Sequence, residues 1–257
     1  LEFRRVLFRS IEEGMMLRNR SECLFLRLLL FLCAANLIQL KKIKVGAVSY
    51  LNTKPFLQGL QKTDIKDQIE LIVDYPALIA EKLRNSEIDI GLVPVAVLPK
   101  LKEYHIVGDY GIACNGEVAS VAVFSDVPLS EMRTIYLDYQ SRTSVALLKI
   151  LLQKFWKINP ELIHTSSGHQ PVIEDQNAAL LIGDRALEMR GKTKYIFDLG
   201  SAWKEMTGLP FVFAAWVSTK PLDEEFVKMF NEACKYGISL YSDIVNQLNY
   251  KIGRAHV

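Results

Sequence analysis

Several clusters of hydroxyl and amide side chains directly follow short apolar runs in this chain. The clearest is SYLN, residues 49–52, which comes after the run IKVGAV and contains Ser49, Tyr50 and Asn52. Side chains of these types bind and orient a polar ligand through hydrogen bonds. The cluster includes no strong general base, so it predicts a site that holds its ligand without a powerful proton acceptor of its own.

The segment SRTS, residues 141–144, is a second cluster, at the predicted start of an amphipathic helix. Ser141, Thr143 and Ser144 lie where free backbone N–H groups and the positive end of the helix dipole favour an anion. Arg142 could clamp a carboxylate or point outward. Taken alone, the segment is equally typical of ordinary helix capping by a serine or threonine.

Two further strand ends carry polar residues, GEVAS at 116–120 and LIGD at 181–184. Asp184 could line a cleft, or it could cap the helix that follows it. In combination with SYLN and SRTS, these strand ends predict a four-sided pocket for a small acid.

The elements that would carry these clusters alternate from residue 43 onward. The predictions are a strand at 43–48, a helix at 53–60 with Pro55 in its first turn, a strand at 69–75, a helix at 76–87 and a strand at 88–94. This βαβαβ order predicts a parallel sheet whose ligand chemistry lies at the carboxyl ends of its strands. SYLN and VPVA, which contains the candidate ligand contact Pro94, both follow such ends.

Two long extended runs, at 108–126 and 209–219, are predicted to carry the chain from one lobe to another and back. Between and after them the pattern predicts a strand at 134–138, a helix at 141–156, a strand–turn–helix unit at 177–189 and helix at 223–250. Two crossings between α/β lobes are the plan of a two-lobed, periplasmic-binding-protein-like type II fold with a ligand cleft at the hinge. We predict that 41–122 plus 214–250 form lobe 1 and 123–213 form lobe 2.

The composition limits the classes of function. The chain of 257 residues is 50% hydrophobic and 23% charged, which is typical of a folded globular protein. The basic excess lies in the flanks: residues 40–250 hold 23 basic and 25 acidic residues, so no nucleic-acid surface is predicted. There is no P-loop or GxGxxG motif.

The cysteines at 23, 33, 114 and 234 lack ligand spacing and predict reduced thiols. His164 and His169 have no third partner for a metal site.

The two ends are expected to be foreign to the fold. Residues 1–40 and 251–257 resemble translated non-coding or adapter sequence flanking a shortened reading frame. The alternative for 16–39 is a secretory signal or membrane anchor, because a basic start precedes an apolar run there.

Six motifs occur together and in order: VGAVSYLNTKPF, IDIGLVPVAVL, GEVASVAVFS, IYLDYQSRTSVALLKILL, AALLIGDRAL and FDLGSAWKEMTGLPFVFAAW. This set resembles the chorismate dehydratase family of the futalosine route to menaquinone, over residues 41–250. The resemblance implies a cytoplasmic hydro-lyase without metal or organic cofactor, acting on the small molecule chorismate, with neither a nucleic-acid nor a membrane partner. Chorismate would lose a ring hydroxyl as water and a ring proton, giving 3-[(1-carboxyvinyl)oxy]benzoate.

The resemblance also implies roles for particular residues. Asn52 and Ser120 would hold and orient the substrate during the elimination, as the catalytic pair. Ser49, Thr143 and the N–H groups of the 141–144 turn would hold its carboxylates. The chain departs from the family at Glu117, where proline is frequent, and the family continues past Tyr250.

Two other functions stay open at this stage. The first is a non-catalytic solute-binding protein for a small carboxylate, since the fold alone does not separate binding from catalysis. The second is a later futalosine-pathway enzyme of similar fold, although its histidine-bearing motifs have no counterpart here.

Overall fold

The computed structural model describes residues 42–166, 168, 171–244 and 246. The strands are β1 Ile43–Val48, β2 Ile69–Asp74, β3 Ile90–Pro94, β4 His105–Cys114, β5 Val121–Ser125, β6 Thr134–Leu137, β7 Glu161–His164, β8 Asn177–Ile182, β9 Tyr195–Asp198 and β10 Phe211–Ser218. The α-helices are α1 Lys54–Lys62, α2 Pro76–Arg84, α3 Thr143–Ile150, α4 Asp184–Met189, α5 Leu199–Thr207 and α6 Glu224–Ser239. The predictions for 1–40 and 251–257, for His169 and for the end of the last helix lie outside the described residues.

The first sheet has the strand order β2-β1-β3-β10-β4. Strand β1 pairs in parallel with β2 and with β3, so the predicted βαβαβ unit is confirmed. The apolar runs of β1 and β3 are buried because helices cover the sheet, and β10 then adds antiparallel to β3 and β4. We call this sheet, with α1, α2 and α6, lobe 1.

Helix α1, which follows SYLN, packs unusually close to α6. A Cβ atom on Gly59 would lie 1.9 Å from the carbonyl oxygen of Ala233, and one on Gly237 would lie 2.0 Å from that of Pro55. Only glycine fits at these two positions, since a real Cβ cannot approach a carbonyl oxygen so closely. The contact therefore braces the helix that begins at the SYLN turn.

The second sheet has the order β7-β6-β8-β5-β9. Strand β6 is parallel to β7 and β8, whereas β5 is antiparallel to β8 and β9. Helix α3 buries Val145, Leu147 and Leu148 against this sheet and continues as a π-helical turn over Leu151–Trp156. We call this sheet, with α3, α4 and α5, lobe 2.

The chain crosses between the lobes twice. It leaves lobe 1 after Cys114 and enters lobe 2 at Val121, then returns at Phe211. The predicted run 108–126 is therefore two strands separated by a turn, because Ala119 has a φ of +58° that no strand residue adopts. The predicted lobe boundaries at 122/123 and 213/214 fall within β5 and β10 and stay predictions at that detail.

Candidate functional site

A cleft opens between the two lobes, and both contribute to its walls. About 580 Å³ of space free of protein atoms lies in and in front of it, with the open solvent at its mouth included. Eight of the ten predicted site residues line it: Tyr50, Asn52, Pro94, Ser120, Ser141, Arg142, Thr143 and Ser144. The four separate sequence clusters thus meet, at least in part, at one cavity.

The floor of the cleft is apolar. Val48 and Leu92 come from β1 and β3, Val121 and Ile182 from lobe 2, and Phe213 from the returning strand β10. Such a floor suits the face of a ring, while the polar side chains around it suit substituents. Of the described residues that line the cleft, Arg142 is the one with a charged side chain.

The residues of the SYLN segment differ in the direction in which their side chains point. After β1 ends at Val48, Tyr50 and Asn52 face the cleft, whereas Ser49 is exposed and is not part of the wall. Asn52 lies at the exposed mouth, where its Oδ1 accepts a hydrogen bond from Thr53 Oγ1 at 3.2 Å. The predicted roles of Ser49 and Asn52 stay predictions, and the geometry favours Asn52.

The SRTS segment caps α3 and also lines the cleft. Ser141 Oγ accepts a hydrogen bond from the Ser144 N–H at 3.1 Å, which is the ordinary capping contact. Thr143 Oγ1 accepts one from the Ala96 N–H of lobe 1 at 3.3 Å. Each hydroxyl still carries a proton that it can donate to a ligand anion. Arg142 is exposed, and its Nη1 makes only long contacts of 3.5 Å, to the backbone carbonyl oxygens of Tyr139 and Ser141.

Ser120 projects into the cleft from a tightly held turn. The Asp198 carboxylate accepts hydrogen bonds from the N–H groups of Val118 at 3.1 Å and Ala119 at 2.8 Å. Arg190 donates to the Ala119 carbonyl oxygen at 2.9 Å and forms an ion pair with Glu117. The departure at Glu117 therefore leaves the turn intact, because the carboxylate gains a cationic partner in lobe 2.

Asp184 does not line the cleft but connects the lobes beside it. Its Oδ1 accepts a hydrogen bond from the Leu51 N–H at 3.3 Å. The preceding residue, Gly183, does line the cleft and has a φ of +62°, and a Cβ there would lie 3.1 Å from the Tyr50 ring. The LIGD motif thus supplies a cross-lobe acceptor and a surface against which Tyr50 packs.

A charged pair behind the cleft was not among the predicted residues. The Asp138 side chain has no exposed surface, and Nη2 of Arg185 lies 2.8 Å from both of its oxygens. The same Nη2 donates to Gln140 Oε1 at 2.9 Å, and Gln140 Oε1 also accepts from the Tyr50 hydroxyl. The sequence shows only that opposite charges lie at or just after the ends of two predicted strands, and the pair forms because those strands become neighbours.

The surroundings set the charge state of these groups. Burial raises the pKa of Tyr50 well above its ordinary value, and the nearby negative charge of Asp138 adds to the effect. Burial alone would lower the pKa of Arg185, but the charge of Asp138 and its hydrogen bond more than offset this. Tyr50 is therefore a neutral hydrogen-bond donor and Arg185 a permanent cation.

Comparison with known proteins agrees with this architecture. The family model described as menaquinone biosynthesis matches residues 43–253, which is most of the chain. The chain belongs to the menaquinone biosynthesis family. A chorismate dehydratase of Thermus thermophilus is 27% identical over 229 residues, covering 81% of this chain and 82% of that protein. One of Campylobacter jejuni is 28% identical over 193 residues, covering 72% of each chain.

Solved structures confirm the predicted fold of this member of the menaquinone biosynthesis family. A crystal structure of a protein from Archaeoglobus fulgidus aligns with a TM-score of 0.65 at 18% identity, covering 84% of each chain. A periplasmic substrate-binding protein of an ABC transporter from Coxiella burnetii aligns with a TM-score of 0.51 at 10% identity, over 79% of this chain and 96% of that one. The fold is the two-lobed, periplasmic-binding-protein-like type II fold.

The described residues contain neither a candidate membrane span nor a cluster of metal ligands. None of their helices combines the length and the apolar character needed to cross a membrane. Within that same part of the chain, no three or more His, Cys, Asp or Glu residues are grouped so that they could hold a metal ion.

Proposed function

We propose that this chain is a chorismate dehydratase, a carbon–oxygen hydro-lyase that converts chorismate into 3-[(1-carboxyvinyl)oxy]benzoate and water. The observation that carries the proposal is the cleft, whose apolar floor is ringed by Asn52, Ser120 and the 141–144 turn. Membership in the menaquinone biosynthesis family supports it, as do the relatives named chorismate dehydratase.

The charge of the cleft suits a dicarboxylate such as chorismate. Arg142 and the free N–H groups at the start of α3 offer positive potential at one wall. The hydroxyl groups of Ser141 and Thr143 can donate to the same carboxylate. The ring would then lie on the apolar floor formed by residues such as Leu92 and Phe213.

The reaction needs positioning more than a strong base. The ring loses its hydroxyl as water and a proton from the adjacent carbon, and the two electrons of that C–H bond complete the aromatic ring. Aromatisation supplies the driving force, so orientation and exclusion of water are the main tasks of the protein. The described residues lining the cleft include no Asp, Glu, His or Lys. We therefore propose that a carboxylate of the substrate accepts the proton.

Asn52 and Ser120 are the proposed orienting residues. They reach the cleft from different lobes, Asn52 from the SYLN turn and Ser120 from the turn held by Asp198. A substrate bound by both would be fixed relative to both walls. Pro94 would contribute a rigid apolar contact at the end of β3.

The test is turnover of chorismate by the purified protein. Chorismate consumption and product formation are followed by ultraviolet absorbance and mass spectrometry, with Ser120→Ala as the comparison variant. We expect a product lighter than chorismate by one water and a slower variant. Stoichiometric binding of chorismate without turnover by the folded protein would instead indicate a solute-binding protein.

We also propose a cytoplasmic location and a reaction that needs no added cofactor. Cys114 and Cys234 are free thiols, which is typical of a reducing compartment. Turnover that persists after dialysis against a chelator is the expected result for the second point, and loss of activity restored by a metal ion would contradict it.

A further inference from the structure

Several contacts join the two lobes across the cleft, away from the two crossing segments. The Tyr50 hydroxyl donates to Gln140 Oε1 at 2.5 Å. The backbone N–H groups of Leu51 and Ala96 donate to side chains of lobe 2, at 3.3 Å in each case. Leu51 and Ala96 both lie in the first turn of a 3₁₀-helix, where an N–H group has no partner within its own helix.

The amide of Gln140 is held in one orientation. Its oxygen accepts from Nη2 of Arg185 at 2.9 Å, and its nitrogen donates to the Tyr139 hydroxyl at 2.9 Å. Its backbone N–H donates to Asp138 Oδ1 at 2.9 Å. The acceptor for the Tyr50 hydroxyl is therefore fixed before Tyr50 reaches it.

Arg185, which donates to the Gln140 amide oxygen, is itself held in place. Arg185 is tied to the buried Asp138, and its guanidinium carbon lies 5.3 Å from the centre of the Tyr139 ring, in cation–π range. The ring of Tyr50 packs on Gly183 in the same lobe. Lobe 2 thus has a preformed surface that contacts the ring of Tyr50 and accepts a hydrogen bond from its hydroxyl.

We propose that Tyr50 is a positioning residue that holds lobe 1 against lobe 2 over the cleft through its hydrogen bond to Gln140. A ligand enclosed by walls from two lobes enters and leaves only when those walls separate. Bonds that cross the cleft therefore set the fraction of molecules that are closed. This inference concerns the protein without ligand and does not depend on the reaction.

Removing the Tyr50 hydroxyl should shift that fraction by a calculable amount. One hydrogen bond contributes enough stability for a change of about two- to tenfold in the closing equilibrium. The apparent dissociation constant of a ligand that binds the closed state rises as the closed fraction falls. Saturating ligand restores closure, so KM should rise by up to about tenfold while kcat changes little.

The decisive measurement is amide hydrogen exchange of the ligand-free protein. The Leu51 and Ala96 amides report closure, and Ala96 is the stronger reporter because it is remote in sequence from position 50. In Tyr50→Phe we expect both amides to exchange about two- to tenfold faster. In the control Tyr195→Phe, on the edge strand β9 and outside the cleft wall, we expect no change.

The alternatives give different results. Unchanged exchange at Ala96 in a correctly folded Tyr50→Phe protein overturns the proposal, even if Leu51 responds locally. A Tyr50→Phe variant with a lower kcat and an unchanged KM for chorismate would also overturn it, since Tyr50 would then act on the reacting substrate. If chorismate proves not to be the substrate, the exchange experiment still decides the matter.

Discussion

Asp138 is the most deeply buried charge in the network behind the cleft, so Asp138→Asn tests how much that network contributes to the free energy of unfolding. The carboxylate accepts from Nη2 of Arg185 at 2.8 Å, from the Ile182 N–H at 3.2 Å and from the Gln140 N–H at 2.9 Å. An asparagine has the same size but no charge, and its nitrogen would face a donor instead of accepting from it.

The expected cost follows from the burial of the two partners. Removing one member of a buried ion pair costs about 3–5 kcal/mol. Asp138 is fully buried, but the Arg185 side chain keeps 38% of its surface exposed, so water partly screens the orphaned guanidinium. We therefore expect a loss of about 2–3 kcal/mol in the free energy of unfolding, or roughly 4–12 °C in Tm.

The assay is urea unfolding followed by circular dichroism, on Asp138→Asn, Arg185→Gln and the double variant. The double variant should be less destabilised than the sum of the single variants, because the second change removes the charge that the first left unpaired. The matched control is Glu81→Gln, which removes a pair with Arg84 in which both side chains are more than half exposed, and should cost under about 0.5 kcal/mol. Strictly additive single effects, or an Asp138→Asn protein as stable as that control, would refute the reasoning.

Three further predictions concern other parts of the molecule. Asn52→Ala and Ser120→Ala should lower chorismate turnover, the latter by about 1–3 kcal/mol in kcat/KM, with little change in Tm; wild-type kinetics would remove the residue from the site. Gly59→Ala should lower the free energy of unfolding by roughly 1–3 kcal/mol, because its Cβ would lie 1.9 Å from a carbonyl oxygen of α6. The control Gln61→Ala, on the exposed face of α1, should leave the free energy of unfolding unchanged, and equal stabilities of the two variants would contradict the prediction. Burial raises the pKa of Cys234 from 9.0 to about 12, so the stability that the neutral thiol contributes is complete below pH 9.0 and is lost as the pH rises towards 12. Between these pH values the free energy of unfolding, measured with urea, should fall less steeply in Cys234→Ala than in the wild type, and parallel curves would count against this reasoning.

The sequence was sufficient where one local signal decides the structure. The apolar run 43–48 followed by Pro55 predicts β1 and α1, and both form where expected. The strand 134–138 and the helix that begins near Ser141 were likewise predicted within a few residues. These elements bury an apolar face that is visible as a periodicity along the chain.

Ser49 and Tyr50 show that residue type alone does not give the direction of a side chain. Successive side chains of an extended segment point to opposite sides. Val48, Tyr50 and Asn52 line the cleft, and Ser49 between them is exposed. The same alternation, applied to the sequence, favours Tyr50 over Ser49 as a contact, whereas Asn52 lies in the 3₁₀-helix Leu51–Thr53 that follows.

Other features depend on which strands become neighbours, and no local pattern carries that information. Asp138 and Arg185 are 47 residues apart and meet because β6 pairs with β8 in the middle of lobe 2. The edge strands β7 and β9 were not predicted at all. Each has only four residues, and neither includes a fully buried side chain that would have produced a strong signal.

Closure and ligand binding use the same short loop of lobe 2. Gln140 receives the Tyr50 hydroxyl, while Ser141 and Thr143, within three residues, line the cleft at the start of α3. Thr143 also accepts the Ala96 N–H of lobe 1, so one side chain faces both the opposite lobe and the ligand. A carboxylate bound at this helix start would therefore contact a loop that is already tied to lobe 1 at both ends. Because a ligand favours the closed state by the contacts that it makes only there, this loop is one segment through which an acidic ligand can favour closure.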